Sequence, residues 1–199
     1  MKMALKSHGI TQKTPENLLF SAGAIYKNLK YSEETGWSGT VLGATNGGIT
    51  LSITPEYVDA EMDGASVPVK GAKIKVAETA TMESNMTEFS EGVIKDSLHL
   101  ELDTTANISG YKKYISKRSI SEDDYLENIA YVGTLVSGKQ IIVILPNAIC
   151  TSALELQGQN KTQATYTITF ECTASFEQTD LEHLPYEIYY PQDEVISED

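Results

Sequence analysis

Between residues 164 and 176 the chain alternates without a break. Ala164, Tyr166, Ile168, Phe170, Cys172, Ala174 and Phe176 fall on one side, and Thr165, Thr167, Thr169, Glu171, Thr173 and Ser175 on the other. Successive side chains of an extended strand point to opposite faces, whereas a helix would scatter these apolar residues around its circumference. Such a run predicts a long strand with one buried and one wet face. The same period recurs at Ile49, Leu51 and Ile53 against Thr50, Ser52 and Thr54, and at Ala72, Ile74, Val76, Ala80 and Met82. Any fold for this chain must therefore cover one side of several half-buried strands.

The remaining patterns fill in that frame. Residues 128–145 read as a hairpin turning at Ser137 and Gly138 through a two-residue turn, with Ile129, Tyr131 and Leu135 before it. The run Ile141, Ile142, Val143, Ile144 and Leu145 follows, and its continuity predicts a strand covered on both faces, by the core and by a helix or neighbouring subunit. Leu154 and Leu156 are expected to pair with Tyr166 and Ile168 across a turn at residues 158–161. One helix is predicted over residues 87–98, with Phe89, Val93, Ile94 and Leu98 on one face despite Gly92. Ser121 and Asp124 match a capping pattern that starts a single helical turn. Two polar connections, residues 31–48 and 59–71, read as long loops, and loops of that length usually have a function: a pocket rim in a binding module, or contact with the next subunit in a polymer. The expected fold is mainly β, a β-sandwich or part-open barrel with one flanking α-helix. The expected organisation is an arm at residues 1–17, one domain at 18–176 and an acidic tail at 177–199.

Composition restricts function. Fifteen Lys and Arg face 28 Asp and Glu, a formal net charge of −13, which disfavours a protein that grips nucleic acid by neutralising phosphates. The tail from residue 177 carries eight of the acids and no Lys or Arg. It reads either as a solvated terminus or as an arm docking on a neighbouring subunit, the second supported by Tyr186, Tyr189 and Tyr190. The opening MKMALKSHGI lacks a long apolar core, and with two cysteines, Cys150 and Cys172, this predicts a reducing, cytoplasmic origin. Cys172 lies on the apolar face of its strand and is expected to act as a small hydrophobe. No apolar run approaches the roughly 18 to 20 residues of a membrane-spanning helix. The triplets at Asn85, Asn107 and Asn160 are short enough to arise by chance.

Chemistry finds little foothold. His8, His99 and His183 are scattered, with no metal-ligand spacing, nucleophile elbow or phosphate loop. No catalytic, metal or cofactor site is predicted, and the chain is not expected to be an enzyme. Glu33 with Glu34 and Asp123 with Asp124 read as solvated turns, since they lack the spaced acids of a calcium loop. Lys112, Lys113, Lys117 and Arg118, interleaved with Tyr111 and Tyr114, form the one basic cluster. Glu122, Asp123 and Asp124 follow at once, so charge pairing, within the chain or between subunits, is preferred to nucleic-acid binding.

The stretch LGATNGGITLSITPEYVDAEMDGASVPVKGAKI at residues 42–74 resembles the tail tube (major tail) proteins of long-tailed phages infecting Gram-positive bacteria. Residues 121–156, the strand QATYTITFECTASF at 163–176 and LLFSAGAIYKNL near the start extend the resemblance over most of the chain. It implies a β-sandwich, related to the tubes of contractile tails and secretion systems, whose copies close six-fold rings and stack into a hollow tube. The inner sheets would join into one continuous barrel and hide their edges. By the same resemblance, Asp59, Glu61, Asp63, Gly64, Pro68 and Lys70 belong to a ring-stacking loop, and the arm and acidic tail also reach the next ring.

The tube reading gives the negative charge a role, because a lumen lined by acids and hydroxyls lets DNA slide without sticking. Candidate lining residues are Thr79, Thr81, Glu83, Thr165, Thr167, Thr169 and Glu171, with the inward face left open. Lys112, Lys113, Lys117 and Arg118 become candidates for an intersubunit basic patch. Expected partners are further copies of the chain, the tape-measure, tail-terminator and distal tail proteins, and DNA in transit, with no membrane. The expected location is the virion tail, after assembly in the host cytoplasm. The rival expectation is a monomeric carbohydrate- or protein-binding β-sandwich, with glycine-rich loops and an exposed Trp37 at its site.

Overall fold

The computed structural model describes residues 8–105, 108–158, 160–177 and 181–192. Asn107, residues 1–7 of the arm and residues 178–180 and 193–199 of the tail lie outside that set. In chain order the elements are β1 (Ala24–Ser32), β2 (Gly36–Val41), β3 (Thr45–Asp59), β4 (Lys73–Met86), α1 (Glu91–Leu98), β5 (Leu100–Leu102) and β6 (Tyr114–Ser116). A single 3₁₀ turn at Glu122–Asp124 follows, then β7 (Leu126–Thr134), β8 (Gln140–Cys150), β9 (Tyr166–Cys172) and β10 (Glu187–Tyr189). Eight strands form one antiparallel sheet in the order β2-β1-β7-β8-β9-β4-β3, with β10 added on β8, and β5 pairs β6 separately.

One cluster draws Ile25 from β1, Met82 and Met86 from β4, Ile129 from β7, Leu145 from β8 and Phe170 from β9. Strands at opposite ends of the order thus share a core, so the sheet folds over itself into the expected sandwich-like body. The turn-over is visible in β8, where the core takes Val143 and Leu145 before Asn147 but Ala148 and Cys150 after it. Asn147 has φ 49, a left-handed conformation that Asn adopts more readily than most residues. Its amide donates to the Thr173 carbonyl at 3.3 Å, and the Thr173 hydroxyl donates back to the Asn147 carbonyl at 2.7 Å.

The alternation of β9 is as expected, with Tyr166, Ile168, Phe170 and Cys172 all buried. The strand ends at Cys172, however, because Thr173 turns to serve Asn147; Phe176 is fully exposed. The Cys172 thiol, pushed up to about 12 by burial, is the small hydrophobe expected of it. Leu154 and Leu156 form no strand: β9 instead lies between β4 and β8, and the Ser152 hydroxyl accepts from the Thr169 N–H at 3.0 Å where the chain leaves the sheet.

The 128–145 hairpin forms, but its loop has three residues, Val136 to Gly138. The Gly138 N–H donates to the Leu135 carbonyl, and Gly138 has φ 82, the geometry of a type I turn closed by a left-handed glycine. The apolar run of β8 is covered on both sides, by the main core and by a second cluster of Leu29, Ala130, Ile142 and Ile144. Among the described residues no helix covers that second side; Tyr26, Trp37 and Val132 do. The polar stretch 31–48, expected as a loop, is mostly strand. Only a tight turn joins β1 to β2, and Gly39 is needed because a Cβ there would stand 3.0 Å from Leu29 Cα.

The single helix begins later than expected, at Glu91, because Ser90 caps it: its hydroxyl accepts from the Val93 N–H. Val93 and Ser97 are its buried residues, while Phe89, ahead of the helix, stacks edge-on against Tyr166 at 5.5 Å. The predicted turn at Ser121 and Asp124 is present, with the Asp124 carboxylate accepting from the Ser121 N–H at 2.8 Å. Among the described residues no helix is long and apolar enough to cross a membrane.

Candidate assembly surfaces

Directly paired residues of neighbouring strands share a face, so the register fixes what the wet side of β3, β4 and β9 presents. Thr50, Glu83 and Thr169 form one row across the three strands, and Ser52, Thr81 and Glu171 the next. Thr54 pairs with Thr79, Glu56 with Ala77, and Thr167 with Asn85. The Thr167 hydroxyl donates to Asn85 Oδ1 at 2.7 Å. Six of the seven expected lining residues therefore lie on one face, opposite the core. Thr165 does not join them, since it precedes β9. The face carries the carboxylates of Glu56, Glu83 and Glu171 and no lysine or arginine at any of these positions.

Beyond that face the β3–β4 hairpin stands clear of the core, and every residue from 61 to 71 is exposed. Ile74 and Val76, expected on the core side with Ala80 and Met82, are 55% and 52% exposed. The reason is a bulge. Glu56 pairs with Ala77 but Tyr57 with Lys75, leaving Val76 unpaired and reversing the parity of β4. Past the bulge Lys75 and Lys73 take the core-side positions, while Val58 and Ile74 extend the polar face as an apolar tip. Asp59, Glu61, Asp63, Gly64, Pro68 and Lys70 all lie at this end of the hairpin, where Lys73 and Asp59 pair at 2.9 Å. The 60–72 connection is closed by the Ala60 N–H donating to the Ala72 carbonyl at 2.8 Å. Tyr57, Val58, Met62, Val67, Val69, Ile74 and Val76 are all large exposed hydrophobics.

The basic cluster is occupied within the chain. Lys112 contacts Glu91 at 2.8 Å, Lys113 contacts Asp103 at 2.8 Å and Lys117 contacts Asp124 at 2.6 Å. The Tyr114 hydroxyl also donates to Glu91. Hydrogen bonds from Lys112 and Lys113 hold the Glu91 and Asp103 carboxyls below the usual carboxylate range. Burial pushes Asp124 up, but hydrogen bonds from Lys117 and Ser121 outweigh it and leave the group lowered. Asp124, expected in a solvated turn, is instead an anchor with its side chain 6% exposed. Glu33 and Glu34 are exposed in the β1–β2 turn, as expected, and Arg118 is exposed.

Trp37 is no exposed binding residue. It is half-buried, with Tyr31 at 5.3 Å and Tyr189 edge-on at 4.9 Å. An open groove of about 590 Å³ lies beside β9, lined by residues including Ser152, Glu155, Leu156, Thr165 and Tyr166; among the described residues Glu155 is its one charged group. His99 closes α1, its Nε2 sharing a hydrogen bond with the Cys150 carbonyl at 2.9 Å. Sequence reasoning missed Glu78, whose side chain is 5% exposed and carries Lys75 at 2.7 Å. A lone acid breaking an otherwise apolar strand face at Glu78 was the available signal.

No protein-family model matches the chain, and no curated protein matches it. Among solved structures it is similar to a chain of the virion of a native gene transfer agent particle. That match has a TM-score of 0.40 and 12% identity, and covers 77% of this chain and 92% of the other. It is also similar to a chain of the tail of an empty gene transfer agent particle solved with helical refinement and C6 symmetry, with a TM-score of 0.39, 12% identity and the same coverage.

Proposed function

We propose that the chain is a self-assembling structural subunit of a phage-type tail tube, forming six-fold rings that stack around a DNA-conducting lumen. The observation that carries this is the β3–β4 hairpin. It holds its apolar side chains away from the core, on a surface that a monomer has no use for and that a second copy can bury. β3 also forms one end of the sheet, fifteen residues long and unpaired along its outer side among the described residues. A long open edge is a template for strand pairing, which ring closure between copies satisfies.

In this reading the hairpin, with Asp59, Glu61, Asp63, Gly64, Pro68 and Lys70, reaches the next ring. Head-to-tail stacking of that kind propagates until another protein stops it, a role for tail-terminator and tape-measure proteins, with a distal tail protein at the far end. The face of Thr79, Thr81, Glu83, Thr167, Thr169 and Glu171 turns inward, because the opposite face of the same strands is core. Six copies multiply its carboxylates around the channel and present no cation to the phosphates passing through. Arg118 remains available to a neighbouring subunit, whereas Lys112, Lys113 and Lys117 serve their own chain. The protein then resides in the virion tail, after assembly in host cytoplasm. A monomeric carbohydrate-binding module is disfavoured, since Trp37 is engaged by Tyr31 and Tyr189.

The test is sedimentation velocity on the wild type and on Val58→Ser/Ile74→Ser. Both side chains are about half exposed, so their loss should change stability by less than about 0.5 kcal/mol while abolishing growth beyond the smallest oligomer. Assembly unchanged by the double substitution would remove the hairpin from the interface.

A further inference from the structure

Residues 181–192 do not trail from the body; they cross it as a strap with attachments at both ends. At the first, Leu184 and Tyr186 pack on the main core, the Leu184 N–H donates to Glu78 Oε2 at 3.4 Å, and the Tyr186 hydroxyl donates to Glu78 Oε1 at 3.3 Å. At the second, Glu187, Ile188 and Tyr189 pair with Ile144, Val143 and Ile142, filling the stretch of β8 edge that β9 leaves open. Tyr189 meets Trp37 there, and Lys139 Nζ donates to the Gln192 carbonyl at 3.1 Å.

The same Glu78 carboxylate also receives Lys75 at 2.7 Å. Lys75 is the residue next to the unpaired Val76, at the point where the hairpin leaves the core. Strap and hairpin root therefore share one nearly buried anion. If the strap departs, Glu78 loses the Leu184 and Tyr186 donors and opens to water, where its attraction for Lys75 is screened. The bulge then loses the ion pair that fixes its geometry.

We propose that the C-terminal strap is an intramolecular latch pinned at Glu78, so that release of the strap and loosening of the projecting hairpin are one coupled event. The latch does two things at once. It covers the Ile142–Ile144 stretch of β8 edge against strand addition, and it holds the hairpin in one orientation while the chain is alone. Displacement of the strap by a second copy would free both surfaces together. The coupling is a property of the single chain and does not depend on the tube reading.

Hydrogen exchange on dilute, single-copy protein tests it, comparing the wild type with Glu78→Gln, Tyr186→Phe and a chain ending at residue 180. Loss of a hydrogen bond to a charged group should speed opening by about tenfold or more. The expected result is faster exchange in residues 73–77 and 56–59 in step with residues 142–144, in all three variants, with β7 and β9 unchanged. Faster exchange at 142–144 alone would overturn the coupling and leave a strap without a latch. Unchanged exchange in all three variants would overturn the strap's attachment itself. Tyr186→Phe, which removes one hydroxyl, guards against misreading a variant that fails to fold. Failure of this coupling leaves the tube reading standing, and a protein that never assembles leaves the coupling standing.

Discussion

Asn128→Leu tests how β1 is fastened to the rest of the sheet. β1 pairs regularly with β7 from Ala24↔Val132 to Lys27↔Ile129, and then Asn28, at φ 55, breaks the ladder. The Asn128 side chain repairs the gap: its Oδ1 accepts from the Leu29 N–H at 2.8 Å and its Nδ2 donates to the Leu29 carbonyl at 3.0 Å. Leu29 itself is only 5% exposed, so water cannot readily replace either bond. Each bond contributes about 1 kcal/mol net, and a buried backbone group left unpaired costs about 1–3 kcal/mol. Leucine, close to asparagine in shape, should therefore lose about 2–4 kcal/mol, equivalent to a fall in Tm of roughly 5–15 °C for a domain of this size. Urea denaturation gives the first quantity and calorimetry the second. Ser52→Ala on the polar face is the control and should stay within about 0.5 kcal/mol. A loss for Asn128→Leu no larger than that of the control would refute the claim that this side chain stands in for the missing ladder.

Two further outcomes follow from charge. Hydrogen bonding from Lys75 lowers the Glu78 carboxyl below its ordinary value of 4.5. A carboxyl depressed in the folded state stabilises fully above its unfolded pKa and loses that contribution as pH falls through the folded value. The stability gap between wild type and Glu78→Gln should therefore hold from neutral pH to about 5 and close below it; a gap that widens in acid would contradict the assignment. Glu83→Lys/Glu171→Lys leaves Glu56 as the one acid among the named positions of the polar face and adds two cations. Particles carrying it should assemble but deliver DNA more slowly, most of all at low ionic strength where screening is weak. Delivery at the wild-type rate would show that this face does not line the channel.

Much of the sheet was legible because its cause is local. Tyr166, Ile168, Phe170 and Cys172 alternate in the sequence for the same reason that they alternate in the fold: one side of β9 meets the core. The polar face could be read from the same residues, though not its extent, since only cross-strand register aligns Thr50 with Glu83 and Thr169. What escaped depends on single residues that break a pattern. Val76 is apolar and in phase with Ala80, yet a one-residue bulge leaves it exposed and exchanges the faces of Ile74 and Lys75 beyond it. Asn147 rotates β8 so that the core changes parity, which no periodicity rule anticipates. Glycines misled in the opposite direction, because Gly36 and Gly39 signal a loop in composition but serve a turn and a close strand approach. Glu78 showed in the sequence as a lone acid on an apolar face, but its role did not, since Leu184 and Tyr186 lie at the far end of the chain; Asn128 was unremarkable because its partner Leu29 is reached only across the sheet.

Electron microscopy of the purified chain across a concentration series, with light scattering on the same samples, tests the central claim most directly. Six-fold rings or hollow tubes that appear as concentration rises, with a stain-filled central channel in end views, are the predicted result. A chain that keeps the mass of one 21.8 kDa subunit at every concentration and shows neither rings nor tubes would contradict it.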